Sequence, residues 1–252
     1  MQLGRIAAAQ STSRACDLVA NVATHCRFIA AAAEVGVELL VFPELSLCGY
    51  VLPSLASCIV APDAALLAPI VALAAKNDMT VIVGCPVAGV HGKPHIGAIV
   101  CMPDGRTAVY AKQHLHAGET QFAVPCEGLA LRYPFGELGF ALAICADTAH
   151  ASHAQAAAAN GTLLYLASVL VSDGGYVNDA ANLQGYAKQH AMGVLMANHG
   201  GPSGPYVSAG KSTFWKPDGE LLVQAPGTGN CLVIASCKEG RWSGECVAVV
   251  IQ

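Results

Sequence analysis

Short runs that are apolar on both faces recur along this chain, separated by segments with helical spacing. Leu3–Gln10, Glu38–Phe42, Met79–Val83, Ala98–Met102, Thr107–Ala111, Phe140–Ile144, Leu163–Ala167 and Val194–Asn198 read as strands. Cys16–Ala33 reads as a helix with Leu18, Val22, Cys26 and Ile29/Ala30 on one face, and Ala64–Lys76, with Asp63 near its start, as a second. His150–Ala159 and Asn178–Met192 continue the alternation, and Ser212–Trp215 and Glu220–Gln224 flank a hairpin turn at Pro217-Asp218-Gly219. Strands without a polar face must be covered on both sides, which calls for an α/β protein. Roughly ten or more strands exceed what one sheet usually holds and imply two packed sheets. With no Ser-, Pro- or Gln-rich linker, residues 1–252 read as a single domain.

Composition narrows the function classes. Charged residues are 12% of the chain, about half the usual share, against 54% AVILMFWYC, so part of the surface is expected to be buried against another copy, as a homodimer or larger. The net charge of −4 carries no basic stripe, which argues against nucleic acid. The uncharged stretches Leu45–Pro62 and Thr148–Ser172 are broken by Gly49 and Pro53 and by Asn160-Gly161, so neither reads as a membrane span. The opening MQLGRIAAAQ lacks a signal-peptide pattern. Eleven cysteines, an odd number placed inside apolar runs and never spaced CxxC, suit reduced thiols in a cytoplasm better than disulfides or structural zinc.

In folds of this class the chemistry gathers at strand tips. The run Leu39–Phe42 ends on Pro43 and Glu44, a carboxylate where an apolar strand should simply stop. Phe140–Ile144 ends on Cys145, with Asp147 or Thr148 placed to cap the following helix; a thiol there is where free N–H groups favour a thiolate or an oxyanion. Thr107–Ala111 ends on Lys112, and seven residues on stands Glu119.

The segments ELLVFPELSLCGY, YAKQHLHAGETQF, GFALAICAD and SAGKSTFWKPDGELL, in that order and spacing, resemble the nitrilase (carbon–nitrogen hydrolase) superfamily. The resemblance implies a four-layer α-β-β-α sandwich and a cofactor-free hydrolase of non-peptide C–N bonds acting through a cysteine thioester on a small amide or carbamoyl compound. It makes Cys145 the nucleophile, Glu44 the general base, and Lys112 the oxyanion partner together with the Ala146 N–H. Glu119 supports Lys112, and Tyr50 and Ala146 are the expected substrate contacts. Departures from the family pattern lie after the nucleophile, where Ala146, His150 and His153 replace the usual residues, and in the later helix, where Ala187–Met192 keeps only part of it.

Several alternatives stay open. Nitrile hydrolysis by the same triad is less expected, because relatives that take nitriles usually follow the nucleophile with Trp-Glu. A Cys–His hydrolase would pair Cys145 with His150, His153 or His199. A metal on His114/His116 or His150/His153 lacks a completing acid or thiol, so no metal is expected. Gly210-Lys211-Ser212-Thr213 lacks the first glycine of a phosphate loop. A catalytically silent binding or scaffold relative is the reading from another class.

Overall fold

The computed structural model describes residues 2–128, 132–136 and 138–251. Two sheets form its centre. The first holds β1 (Leu3–Gln10), β2 (Leu39–Val41), β3 (Thr80–Val87), β4 (His95–Cys101) and β5 (Thr107–Ala111). The second holds β6 (Phe140–Ile144), β7 (Leu164–Val169) and β8 (Gly193–Asn198). After a two-residue hairpin of β9 (Pro202–Ser203) and β10 (Tyr206–Val207), β11 (Thr213–Trp215) and β12 (Leu221–Gln224) extend the second sheet. β13 (Cys231–Lys238) and β14 (Arg241–Ala248) return to the first. The orders are β14-β13-β1-β2-β3-β4-β5 and β12-β11-β8-β7-β6. The β1-β2-β3 and β6-β7-β8 ladders are parallel, and hairpins add antiparallel strands at the edges.

Period-two alternation decides which side chains fill which layer. In β1, Ile6 and Ala8 face the second sheet, whereas Ala7 and Ala9 face the helices α1 (Leu18–Glu34) and α2 (Ala68–Lys76). β2 and β3 do the same: Leu39, Val41 and Ile82 look inward, Leu40, Val81 and Val83 outward. On the far side α3 (Ala151–Ala159) and α4 (Asp173–His190) cover the second sheet through Ala154, Ala157, Leu183 and Ala187. The result is the four-layer α-β-β-α sandwich. No helix among the described residues is long and apolar enough to cross a membrane.

Three local differences from the sequence reading stand out. The buried stripe of α1 is Asn21, Val22, His25, Phe28, Ile29 and Ala32, so Ala30 faces solvent, and two polar side chains enter the core because each finds partners there. Asp147 and Thr148 do not cap α3: they lie in a 3-10 turn, Cys145–Ala149, and α3 starts after His150 without a side-chain cap. β13 and β14, absent from the sequence reading, complete the first sheet.

Candidate active site

Glu44 follows β2 on a turn gripped from both sheets. Phe42 N–H donates to Ile82 O at 2.9 Å, carrying the ladder one residue past β2. The turn lies on Gly84, where a Cβ would come within 2.4 Å of Pro43 O and 2.6 Å of Leu45 N, so only glycine permits the approach. Gly84 N–H donates to Ser46 Oγ, and Ser46 also contacts His25 Nε2 at 2.9 Å. His25 Nδ1–H reaches Asn21 O at 2.7 Å, and burial holds the ring down to about 4, hence neutral. From the second sheet, Ser168 Oγ donates to Phe42 O at 2.8 Å and His199 Nε2 to the Glu44 carbonyl at 2.7 Å. These contacts explain why a buried His sits on α1; the buried Asn21 is held by its Nδ2 donating to Arg14 O and Leu47 O at 2.8 Å each.

The Cys145 turn is pinned differently. Cys145 is not glycine yet has φ 41°, a strained left-handed conformation, at the junction of β6 and the 3-10 turn. Asp147, fully buried, ties that junction to the end of β5. Its Oδ2 accepts from Ile144 N–H at 3.0 Å and Tyr110 Oη–H at 2.8 Å; its Oδ1 accepts from the backbone N–H groups of Gln113 and His114 at 3.1 and 2.9 Å. Tyr110 Oη in turn accepts from His153 Nε2, whose Nδ1 accepts from Tyr165 Oη. His150 stacks on His114 with centroids 3.8 Å apart. The histidines singled out after the nucleophile thus belong to a network behind it. One strand tip is thereby fixed to another in a different sheet.

Between the two tips stands Lys112. Its Nζ donates to Glu44 Oε1 and to Glu119 Oε1, both at 2.7 Å, and all three side chains are 0% exposed. Glu119 Oε1 also accepts from Tyr50 Oη at 2.6 Å, and its Oε2 from His116 N–H at 2.8 Å. Among the described residues Glu44 Oε2 has no geometric hydrogen-bond partner, and the Cys145 thiol acts on the same carboxyl group. Burial pushes the Glu44 carboxyl up to about 7, against the pull of Lys112. Burial pulls the Lys112 ammonium down, but the charges of Glu44, Cys145 and Glu119 outweigh it and hold the pKa above its ordinary value. Burial, then Glu44, pushes the Cys145 thiol well up, with Lys112 opposing. The resting sulfur is therefore a thiol, not the thiolate that a helix terminus alone would favour.

A cavity of about 300 Å³ opens onto this cluster, lined in part by Tyr50, His116, Glu119, Cys145, Asp179 and Tyr206. Ala146 is buried next to Cys145 rather than lining the cavity. A histidine beside the sulfur is His116, with Nε2 3.3 Å from Sγ. Of the three Cys–His candidates, His150 stacks on His114, His153 spends both ring nitrogens on Tyr110 and Tyr165, and His199 directs its Nε2 to the Glu44 carbonyl. Neither His116 nor Asp179 was singled out by the sequence as touching this site. Among the described residues no group of His, Cys, Asp or Glu could hold a metal ion.

The chain belongs to the carbon–nitrogen hydrolase family, whose model matches residues 5–243. It is a hydrolase of non-peptide carbon–nitrogen bonds. Among solved structures it is similar to an amidase from Nesterenkonia sp. AN1. A cysteine-to-alanine variant of that enzyme in complex with butyramide is 26% identical, with a TM-score of 0.85, covering 95% of this chain and 92% of the other. A cysteine-to-serine variant, described as an amidase from the nitrilase superfamily, is also 26% identical at 0.85, covering 95% and 93%. A glutamate-to-glutamine variant showing Michael addition of acrylamide at the active-site cysteine is 27% identical at 0.83, covering 92% of each chain.

Proposed function

We propose that the chain is an amidase that hydrolyses small amides through acylation of Cys145. The observation that carries this reading is Lys112, fully buried and held at 2.7 Å by two carboxylates beside a cysteine on a strained turn at a cavity. Glu44, with a pKa near neutrality and one oxygen unpartnered among the described residues, takes the thiol proton as sulfur attacks the carbonyl carbon. The oxyanion that forms meets the Lys112 ammonium and the Ala146 N–H, which lies in the first turn of a 3-10 helix and so lacks an intrahelical acceptor. Collapse of the tetrahedral adduct breaks the C–N bond; the leaving amine takes the proton from Glu44, and a thioester remains. Glu44 then deprotonates water, which attacks the thioester and returns the proton to sulfur. Glu119 supports Lys112 and fixes Tyr50 at the cavity wall.

The amide reading is favoured over nitrile hydrolysis by the butyramide bound to a similar amidase, and the complete Glu–Lys–Cys set stands against a silent relative. Release of ammonia from a panel of small neutral amides, absent in Cys145→Ala, tests it; no release from any amide would contradict it. The reading includes a cytoplasmic setting, supported by an odd number of cysteines never spaced CxxC, and a homodimer or higher oligomer, supported by the low charge content. Light scattering giving a mass near 25.7 kDa would remove the oligomer.

A further inference from the structure

Asp179 has no function in the chemistry described above, yet it lines the cavity that opens onto Cys145. It projects from α4, is half-buried, and among the described residues makes no hydrogen bond or ion pair. Gly175, one turn earlier and also on the cavity wall, leaves room for it: a Cβ there would stand 3.3 Å from Asp179 Oδ2. The titratable group acting on it is His116, an exposed side chain whose own pKa burial and Lys112 lower. Lys211, beside the start of the same helix, is engaged elsewhere, 3.7 Å from Asp173 and 5.0 Å over the Tyr176 ring.

The charge of the site points the same way. In and beneath the cavity, among the described residues, Glu44, Glu119 and Asp179 are carboxylates, and Lys112 is the ammonium. Lys112 is already shared by Glu44 and Glu119 at 2.7 Å each. Closing a substrate over the site displaces water from Asp179, and a half-buried carboxylate stripped of water with no partner is costly. A ligand that brings its own cation removes that cost; one that brings a second carboxylate adds repulsion.

Resting on the amidase reading, we propose that Asp179 recognises an ammonium group carried on the acyl chain of the substrate, so that the preferred substrates are small ω-ammonium amides. The carbonyl would be held by Lys112 and the ammonium by Asp179, in a cavity that Tyr50 and Tyr206 also line.

The test compares ω-ammonium amides of three to six carbons with neutral alkyl amides and ω-carboxylate amides of the same lengths. kcat/KM is measured in the wild type, Asp179→Asn and Asp179→Lys, with circular dichroism to confirm folding. Binding of the same amides to Cys145→Ala and to Cys145→Ala/Asp179→Asn is measured by calorimetry. At the best chain length the wild type is expected to favour the ammonium amide over its neutral counterpart by about tenfold or more. Asp179→Asn brings that ratio to near one, and Asp179→Lys inverts it toward the carboxylate amide. A wild-type ratio near one, or an Asp179→Asn variant that slows charged and neutral amides equally, overturns the proposal; the latter would mean that Asp179 only supports His116. Turnover of neutral amides with no charge preference defeats this inference and leaves the amidase reading standing. Asp179-dependent binding of ammonium amides to Cys145→Ala, with no turnover of any amide by the wild type, does the reverse.

Discussion

Two sets of side chains meet at the cavity, and they are built on opposite terms. Glu44, Lys112 and Glu119 are wholly buried, charged, and nearly saturated with partners, leaving one oxygen of Glu44 free next to the thiol. His116 is exposed and Asp179 half-buried, and both are short of partners, His116 touching the sulfur at 3.3 Å and the Asp179 side chain making no hydrogen bond among the described residues. A saturated buried cluster is suited to one task, because any change leaves a charge without compensation. An unsaturated wall is suited to discrimination, because its partners arrive with the substrate. On the proposed reading the first set carries the chemistry and the second the choice of substrate.

Substitutions at the sulfur should give the largest effect. Cys145→Ala is expected to lower amide turnover by roughly 10⁴-fold with the fold intact by circular dichroism; retention of more than about one hundredth of wild-type turnover contradicts the nucleophile assignment.

Glu44→Gln comes next, at roughly 10³-fold, because the proton acceptor goes while shape and hydrogen bonding stay. In the wild type, kcat/KM should rise with pH and level off above about 7 as Glu44 loses its proton, and the variant should lose that limb. Stability carries the same signature with a definite sign. The folded pKa of Glu44 lies above its unfolded value, so between about 4.5 and 7 the native state binds the extra proton. The stability contribution is complete below the unfolded pKa and is lost as pH rises through the folded one, a loss on the order of 3 kcal/mol. Denaturant titrations across that window should show the decline in the wild type and a weaker decline in Glu44→Gln.

Lys112→Met should cut amide turnover by roughly a hundredfold, the effect of removing one oxyanion partner. It also strands two buried carboxylates, so a drop in stability of about 3 kcal/mol or more should accompany it. Alkylation of Cys145 by iodoacetamide, which forms no oxyanion, should suffer less than turnover.

His116→Gln should do least, changing turnover by less than about tenfold and shifting the pH profile of thiol alkylation, since the contact with sulfur is made from a half-exposed wall. If His116→Gln matched Lys112→Met in its effect on turnover, the division between chemical cluster and selective wall would be broken.

How much of this was legible beforehand follows from how local each signal is. The strands β1, β5 and β6 stand where their apolar runs end, because a covered strand announces itself over five to eight residues. Glu44, Lys112 and Cys145 were readable as oddities at three strand tips, and the family resemblance then joined them. Asp147 reads as a helix cap because its partners Tyr110, Gln113 and His114, on β5 of the other sheet and just past its end, are distant in sequence. His116 was one histidine among nine, and its contact with Cys145 joins loops 29 residues apart. Asp179 sits on α4, where Asp173, Asn178, Gln184 and Lys188 blur any apolar stripe, so nothing local marks the side facing the cavity. β14 escaped because most of its residues are exposed and it shows no two-residue period, and β13 because no helix follows to frame it.

The central claim is that an acyl group passes through the sulfur of Cys145, and intact-protein mass spectrometry of acid-quenched turnover mixtures tests it most directly. With a hydrolysed amide in excess, the wild type should gain the mass of the acyl group, localised by peptide mapping to Cys145 and removed by hydroxylamine, and Cys145→Ala should gain nothing. An enzyme that releases ammonia in the steady state while an acyl adduct forms on another residue, or forms equally on Cys145→Ala, would contradict the account.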